Sequence, residues 1–113
     1  MLLLILKYIG CILTALVGVY ALFAPKRTEG FTGLIAPDAR GVTEIRVVLG
    51  MFFVVLGLFP IVTGSAAAFQ MLGAAYFLVG IARIVSIFVD RSGNQSNWSS
   101  VVFELVFGAI LFL

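Results

Sequence analysis

The chain has 113 residues, of which 63% are hydrophobic and 11% are charged, and its formal net charge is +2. With a mean hydropathy of +1.25, it cannot supply the polar surface that a water-soluble domain of this size needs. We therefore expect a lipid bilayer to be its main solvent. The basic residues are few and are not interleaved with aromatic side chains, so we expect no nucleic-acid partner.

Several chemistries are disfavoured by the residue types that the chain lacks. It has no histidine and one cysteine, Cys11. An intrachain disulfide and histidine-ligated haem are therefore excluded, and we expect no metal site from the usual zinc or iron ligands. No pairing of a nucleophile with a general base is recognisable, so we expect no cofactor and no enzymatic activity.

Four apolar segments separated by three polar breaks predict four helices. The first lacks the basic start of a signal peptide and is too long for one, so we expect it to be retained as a membrane helix. A spanning helix needs roughly 20 residues, which the first three segments provide. The predicted fold is all-α, a membrane-spanning four-helix bundle in a single domain over residues 1–113. The predicted helices cover about 2–23, 42–60, 65–89 and 97–113.

The fourth predicted helix is short for a membrane span. At 1.5 Å per residue it reaches only about 25 Å, against a hydrocarbon core of about 30 Å. Trp98 at its start is typical of an anchor at the membrane interface. We expect its other end to lie where the bilayer thins or where a neighbouring protein packs.

The first connection, residues 26–41, is the only long polar segment. It mixes glycine and proline with Phe31, Leu34 and Ile35. The simplest interpretation is an interfacial loop whose apolar side chains dip into the headgroups. The alternative is a lid over a pocket at headgroup depth.

The basic loop residues predict the orientation in the membrane. Lys26, Arg27 and Arg40 lie in the first connection and Arg91 in the third, whereas the second connection, residues 62–64, has none. Positively charged loops favour the cytoplasmic side. We therefore expect loops one and three in the cytoplasm and both termini outside.

Three charged residues, Arg46, Arg83 and Glu104, fall inside the predicted second, third and fourth helices. A charge in hydrocarbon costs about 2.5–3.5 kcal/mol even on insertion scales, so each needs a partner or a role. In the predicted topology all three lie at similar depth, and each shares a helix face with glycines, which mark close helix contacts. We therefore predict that Glu104 contacts Arg83, Arg46 or both.

This charge cluster is the candidate lipid- or anion-binding site, with Glu44 and Tyr76 as further members. Two arginines against one glutamate leave a positive surplus that suits a phospholipid phosphate, unless Glu44 turns inward. The simplest partner of Glu44 is Arg40, one turn earlier. Tyr76 lies near the membrane centre on the Arg83 face and needs a hydrogen-bond partner. Two alternatives stay open, a purely structural lock between helices and a transport or proton-relay path.

Short motifs in three of the helices are typical of one family. They are Glu44-Ile45-Arg46, Gly50, Gly57, Ala82-Arg83 and Glu104. With them the chain resembles, over nearly its whole length, a family of small bacterial four-helix membrane proteins catalogued as a domain of unknown function and loosely similar to DoxX-like proteins. The resemblance implies a bacterial inner-membrane protein and no particular activity. Small multidrug transporters differ, because they need a glutamate in helix one, where this chain has Lys7 and no carboxylate.

The leading functional hypothesis is a non-catalytic accessory or assembly subunit of a larger membrane complex. Its partners would be the lipid bilayer and other membrane subunits or further copies of itself, and an anionic lipid headgroup could bind the Arg/Glu cluster. The alternative is a small oligomeric transporter or channel that uses the same cluster. A transporter needs a wet path to both sides, and the apolar outer-half residues, such as Ile61 and Val62, give no sign of one.

Overall fold

The computed structural model describes residues 1–113, and every regular element is helical. One 3-10 turn, Pro25–Arg27, follows the first helix, and a π-helix, Ile45–Met51, joins the helix Ala39–Glu44 to the helix Phe52–Thr63. The π-helix and the two helices that it joins run without interruption as one helix, Ala39–Thr63, called the second long helix below. The α-helices are α1 (Leu2–Phe23), α2 (Glu29–Thr32), α3 (Ala39–Glu44), α4 (Phe52–Thr63), α5 (Ala66–Asp90) and α6 (Gln95–Phe112).

Three helices have the length and the apolar composition of membrane spans: Leu2–Phe23, Ala39–Thr63 and Ala66–Asp90. The all-helical fold predicted from the sequence is therefore confirmed. α6 has 18 residues, but its first two turns are mostly polar, which lowers its mean hydropathy. The fourth span, the four-helix bundle and the single domain stay predictions.

The second long helix extends further than predicted, by three residues at each end. It begins earlier because Asp38 caps it, accepting a hydrogen bond from the Gly41 amide at 2.9 Å. It continues past Pro60, which the prediction took as its end. Proline interrupts one backbone hydrogen bond, but helices of membrane proteins tolerate it because neighbouring groups satisfy the freed carbonyl.

The first connection contains more structure than the predicted loop. Thr28 is fully buried and donates its hydroxyl proton to the Pro25 carbonyl at 2.9 Å. α2 follows and ends at Gly33, whose φ of 76° is a left-handed conformation that glycine adopts without strain. Phe31 packs edge-on against Tyr20 of α1, with ring centroids 5.4 Å apart. These contacts hold the connection against the helix that precedes it.

The chain divides into two compact units. Residues 9–63 form the first hairpin, in which α1 pairs with the second long helix. Gly57 lies against the backbone of Cys11 and Ala15, and Gly50 lies against Leu22. Partners earlier in one helix match partners later in the other, so the two helices are antiparallel.

Residues 64–113, together with residues 1–8, form the second hairpin. Here α5 and α6 are antiparallel, and glycines again lie at the contact. A Cβ added at Gly73 would lie 2.5 Å from the Phe112 amide nitrogen, and one at Gly108 would lie 2.6 Å from that of Phe77. Only glycine allows backbones to approach so closely, as is common between membrane helices. Both helices begin at side-chain caps, Ser65 and Asn94.

Candidate functional site

Arg83 of α5 and Glu104 of α6 form an ion pair within the second hairpin. Arg83 Nε donates to both carboxylate oxygens of Glu104, at 3.0 and 2.9 Å, and Nη2 donates to Oε1 at 2.7 Å. The Glu104 side chain is only 8% exposed, whereas that of Arg83 is 34% exposed. Of the two contacts predicted as alternatives for Glu104, the one with Arg83 is present. Its two-nitrogen geometry is the strong form of an arginine–carboxylate interaction.

The same guanidinium is also bound by Asn97, which sequence reasoning missed. Arg83 Nη1 donates to Asn97 Oδ1 at 3.1 Å, and Asn97 Nδ2 donates to the Ser92 carbonyl at 2.9 Å. Asn97 therefore joins the arginine to the loop between α5 and α6. The spacing of seven residues from Asn97 to Glu104 places both on one face of α6, and this was the signal that could have found it.

A polar pocket of about 360 Å³ opens beside Arg83 at the end of α5, called the α5-end pocket below. Its polar lining combines a cation, a carboxylate, hydroxyl groups and an amide. The residues that line it are Val79, Ala82, Arg83, Ser86, Ile87, Asp90, Ser92 and Asn97.

Arg46 lies in the first hairpin, within the π-helix, and is exposed. Its Nη1 donates to the Leu22 carbonyl at 2.7 Å. Leu22 lies in the last turn of α1, where helix carbonyls have no partner within the helix and carry the negative end of the helix dipole. Arg46 thus caps α1 through a neutral acceptor, which leaves its own charge without compensation from that partner.

The two remaining candidates differ in their surroundings. Glu44 is exposed, and the ion pair predicted with Arg40 is not formed. Tyr76 is half-buried on α5 and packs edge-on against Phe103 of α6, with ring centroids 5.7 Å apart. Tyr76 therefore contributes to the α5–α6 contact, and it does not line the α5-end pocket.

Comparison with protein families gives a match over the entire chain. The matching model, Domain of unknown function (DUF4345), covers residues 1–113. The chain belongs to this family. No curated protein and no solved structure matches the chain. In this member of the DUF4345 family, the resemblance seen in the sequence is therefore confirmed at the level of an uncharacterised family.

Hydrogen-bonding groups surround Arg83 in this DUF4345 protein. The hydrogen bonds to Glu104 and Asn97 fix the orientation of the Arg83 guanidinium. No group of three or more histidine, cysteine or acidic side chains lies together in a way that could hold a metal ion. The arrangement offers hydrogen-bond donors and one nearby carboxylate, Asp90, around a pocket open to its surroundings.

Proposed function

We propose that this DUF4345 protein is a non-catalytic accessory or assembly subunit of a larger membrane complex. The observation that carries the proposal is an apolar groove of about 460 Å³ between α5 and α6, called the small-residue groove. Its lining is almost entirely apolar, and half of it consists of glycine and alanine. The lining residues are Gly73, Ala74, Phe77, Leu78, Gly108, Ala109, Phe112 and Leu113.

The groove suits an apolar helix of a partner membrane protein. Gly73 and Gly108 are buried against the opposite helix of the hairpin, so Ala74 and Ala109 are the small residues that remain for a partner. Small side chains let helix backbones approach closely, and in lipid this close packing is a main source of helix association. Phe112 and Leu78 are 54% and 65% exposed and would form the walls against which such a helix packs. A helix from a second copy of the chain would also fit the groove.

Filling the groove tests this proposal. Ala74→Leu and Ala109→Leu place larger side chains inside it, while Ala75→Leu makes the same change on an exposed residue that does not line it. We expect each groove variant to reduce recovery of the wild-type's co-purifying membrane partner at least fivefold after mild detergent extraction. The control variant should retain the partner.

Two results would contradict the proposal. One is a wild-type protein that migrates as a monomer on native gels without any associated membrane protein. The other is equal partner recovery from Ala75→Leu and the groove variants, which would mean that the groove is not the contact surface.

We further propose a bacterial inner-membrane location, within the wider DoxX-like group, with loops one and three in the cytoplasm. The distribution of basic loop residues supports this orientation. Thr32, the last residue of α2, and Ser96, the second residue of α6, are both exposed. After Cys11 is replaced, cysteine at either position should resist a membrane-impermeant thiol reagent in intact cells and react after lysis. Rapid labelling of both in intact cells would reverse the orientation.

A further inference from the structure

We infer that the α5-end pocket holds the headgroup of a zwitterionic phospholipid, with its phosphate beside Arg83 and a primary ammonium beside Asp90. This inference goes beyond the proposed function, because it does not depend on a protein partner. The pocket lies wholly within the second hairpin and has a volume of about 360 Å³. Its cationic and anionic residues both belong to α5, seven residues apart, so they lie on one face about two turns from each other.

The cationic side of the pocket retains free hydrogen-bond donors. An arginine guanidinium carries five N–H groups. Three of them are used, by Nε and Nη2 toward Glu104 and by Nη1 toward Asn97. Nη1 and Nη2 therefore each keep one N–H, and the side chain is 34% exposed and lines the pocket. Phosphate oxygens are the acceptors that suit such paired donors.

The anionic side of the pocket is Asp90, the last residue of α5. Asp90 is exposed and forms no ion pair with another side chain of the chain. The Ser86 hydroxyl lies between it and Arg83 along the helix, and Ser92 lies on the loop side. A primary ammonium has three N–H donors for this carboxylate and these hydroxyl oxygens. A choline group has no N–H donor, so it would donate no hydrogen bond to the carboxylate or to the hydroxyl oxygens.

The charge balance favours a zwitterion over an anionic lipid. The charge of Arg83 is already matched by Glu104, so the carboxylate of Asp90 adds a negative charge to the pocket. A headgroup with only a phosphate would gain the free Arg83 donors but face a carboxylate that forms no ion pair. In a zwitterionic headgroup, the phosphate meets the Arg83 donors and the ammonium meets the Asp90 carboxylate.

The depth of the pocket also suits a headgroup. Trp98 is 41% exposed and packs edge-on against Phe88, with ring centroids 6.3 Å apart. Tryptophan residues prefer the membrane interface, so this pair marks headgroup level at the same end of the hairpin. Val79, at the inner end of the pocket, is exposed and apolar, and it offers a surface for the first part of an acyl chain.

The test compares lipids that differ only in their headgroup. Purified protein is equilibrated in detergent with equal amounts of phosphatidylethanolamine, phosphatidylcholine and phosphatidylglycerol of the same acyl chains, and bound lipid is counted by native mass spectrometry. We expect occupancy by phosphatidylethanolamine to exceed that by either other lipid at least fivefold. Asp90→Asn should bring its ratio to phosphatidylcholine close to one, and Ser86→Ala should lower it about twofold.

Controls separate loss of the site from loss of the fold. Asp90→Asn changes an exposed residue, so its melting temperature in lipid-free detergent should match the wild type. Glu29→Gln removes one carboxylate from the first hairpin and should keep the full headgroup preference. Soluble phosphoethanolamine at the same concentration should not displace the lipid, because it lacks the acyl contact at Val79.

Four outcomes would overturn the inference. They are equal binding of phosphatidylethanolamine and phosphatidylcholine, a preference for phosphatidylglycerol, a preference that survives Asp90→Asn, and displacement by soluble phosphoethanolamine as effective as displacement by lipid. The second would indicate an anion site, and the last would indicate a water-soluble ligand.

Discussion

The two hairpins solve the same packing problem with different polar groups. In each, two long antiparallel helices meet at glycines, and in each an arginine of one helix bonds to the helix it is paired with. Arg83 bonds to a carboxylate, whereas Arg46 bonds to the backbone carbonyl of Leu22. Both hairpins therefore have close backbone contact at glycines, but only in the second hairpin is the charge of the arginine balanced by a carboxylate.

The difference has a physical cause in what each partner helix offers. Near Arg46 the available acceptor is the end of α1, whose last carbonyls lack partners and attract a cation. Near Arg83 the partner helix supplies Glu104, which is 6% exposed as a residue and would be costly to bury as an unpaired ion. An exposed arginine tolerates a neutral acceptor, while a buried glutamate needs the cation. The second hairpin thus depends on its charge pair more than the first depends on its cap.

The largest effect should come from the feature that the hairpins share. A Cβ at Gly57 would overlap the Cys11 carbonyl, and one at Gly108 would lie 2.6 Å from the Phe77 amide nitrogen. Gly57→Ala and Gly108→Ala should each lower the free energy of unfolding by about 3 kcal/mol, the upper part of the usual range for overpacking. Denaturation of the purified variants in mixed micelles measures this.

Gly30→Ala is the matched control for the glycine variants, because nothing lies within 4 Å of an added Cβ there. It should be neutral or stabilising by about 0.5 kcal/mol, since alanine favours helix more than glycine does. If only one hairpin loses stability, close backbone approach is not a property that both share.

The next largest effect should distinguish the ion pair of Arg83 from the backbone hydrogen bond of Arg46. Glu104→Ala strands Arg83, a loss that costs about 3–5 kcal/mol in soluble proteins but nearer 1 kcal/mol between membrane helices, so we expect about 2 kcal/mol. Arg46→Ala removes one exposed bond to Leu22 and should cost less than about 1 kcal/mol. Thermal melting in detergent compares the two variants.

A double-mutant cycle sharpens this result. Arg83→Ala and Glu104→Ala combined should cost less than the sum of the single changes, because the second change removes a residue that the first has already left unpaired. Strict additivity would show that the two side chains do not stabilise each other. A larger loss from Arg46→Ala than from Glu104→Ala would reverse the ranking of the hairpins.

A third comparison, with an effect smaller than that of Glu104→Ala, concerns residues with left-handed backbone. The first hairpin uses Gly33 at a φ of 76°, whereas the second ends α5 with Arg91 at a φ of 53°. A side chain in this region costs about 1–2 kcal/mol relative to right-handed backbone, and glycine does not bear that cost. Arg91→Gly should therefore raise stability by about 1 kcal/mol in chemical denaturation.

Arg91→Lys serves as the control, since it keeps the charge and the strained backbone and should leave stability unchanged. Gly33→Ala should show the opposite sign to Arg91→Gly, with a loss of about 1 kcal/mol. If Gly33→Ala raised stability, a side chain in left-handed backbone would not lower the stability of these connections.

Helix positions could be predicted well where the sequence pattern changes sharply. The end of α1 is marked by Pro25 with two basic residues, and the start of α5 by Ser65, so both boundaries lie within one residue of their predicted positions. Pro60 misled the prediction, because its effect on a helix depends on what satisfies the freed carbonyl. That information lies in the surroundings of the helix and not in the local pattern.

The sequence by itself determined that the protein is helical, apolar enough for a membrane, and carries charges on glycine-bearing helix faces, because periodicity and composition are local properties. It also predicted that Glu104 contacts Arg83, Arg46 or both, and the contact with Arg83 is present. Only the tertiary structure decided that Asn97 joins this pair, that Arg46 caps α1 at Leu22, and that Asp90 lines the α5-end pocket. These partners depend on how two helices are rotated and shifted against each other, and that geometry is set by the close approach of their glycines.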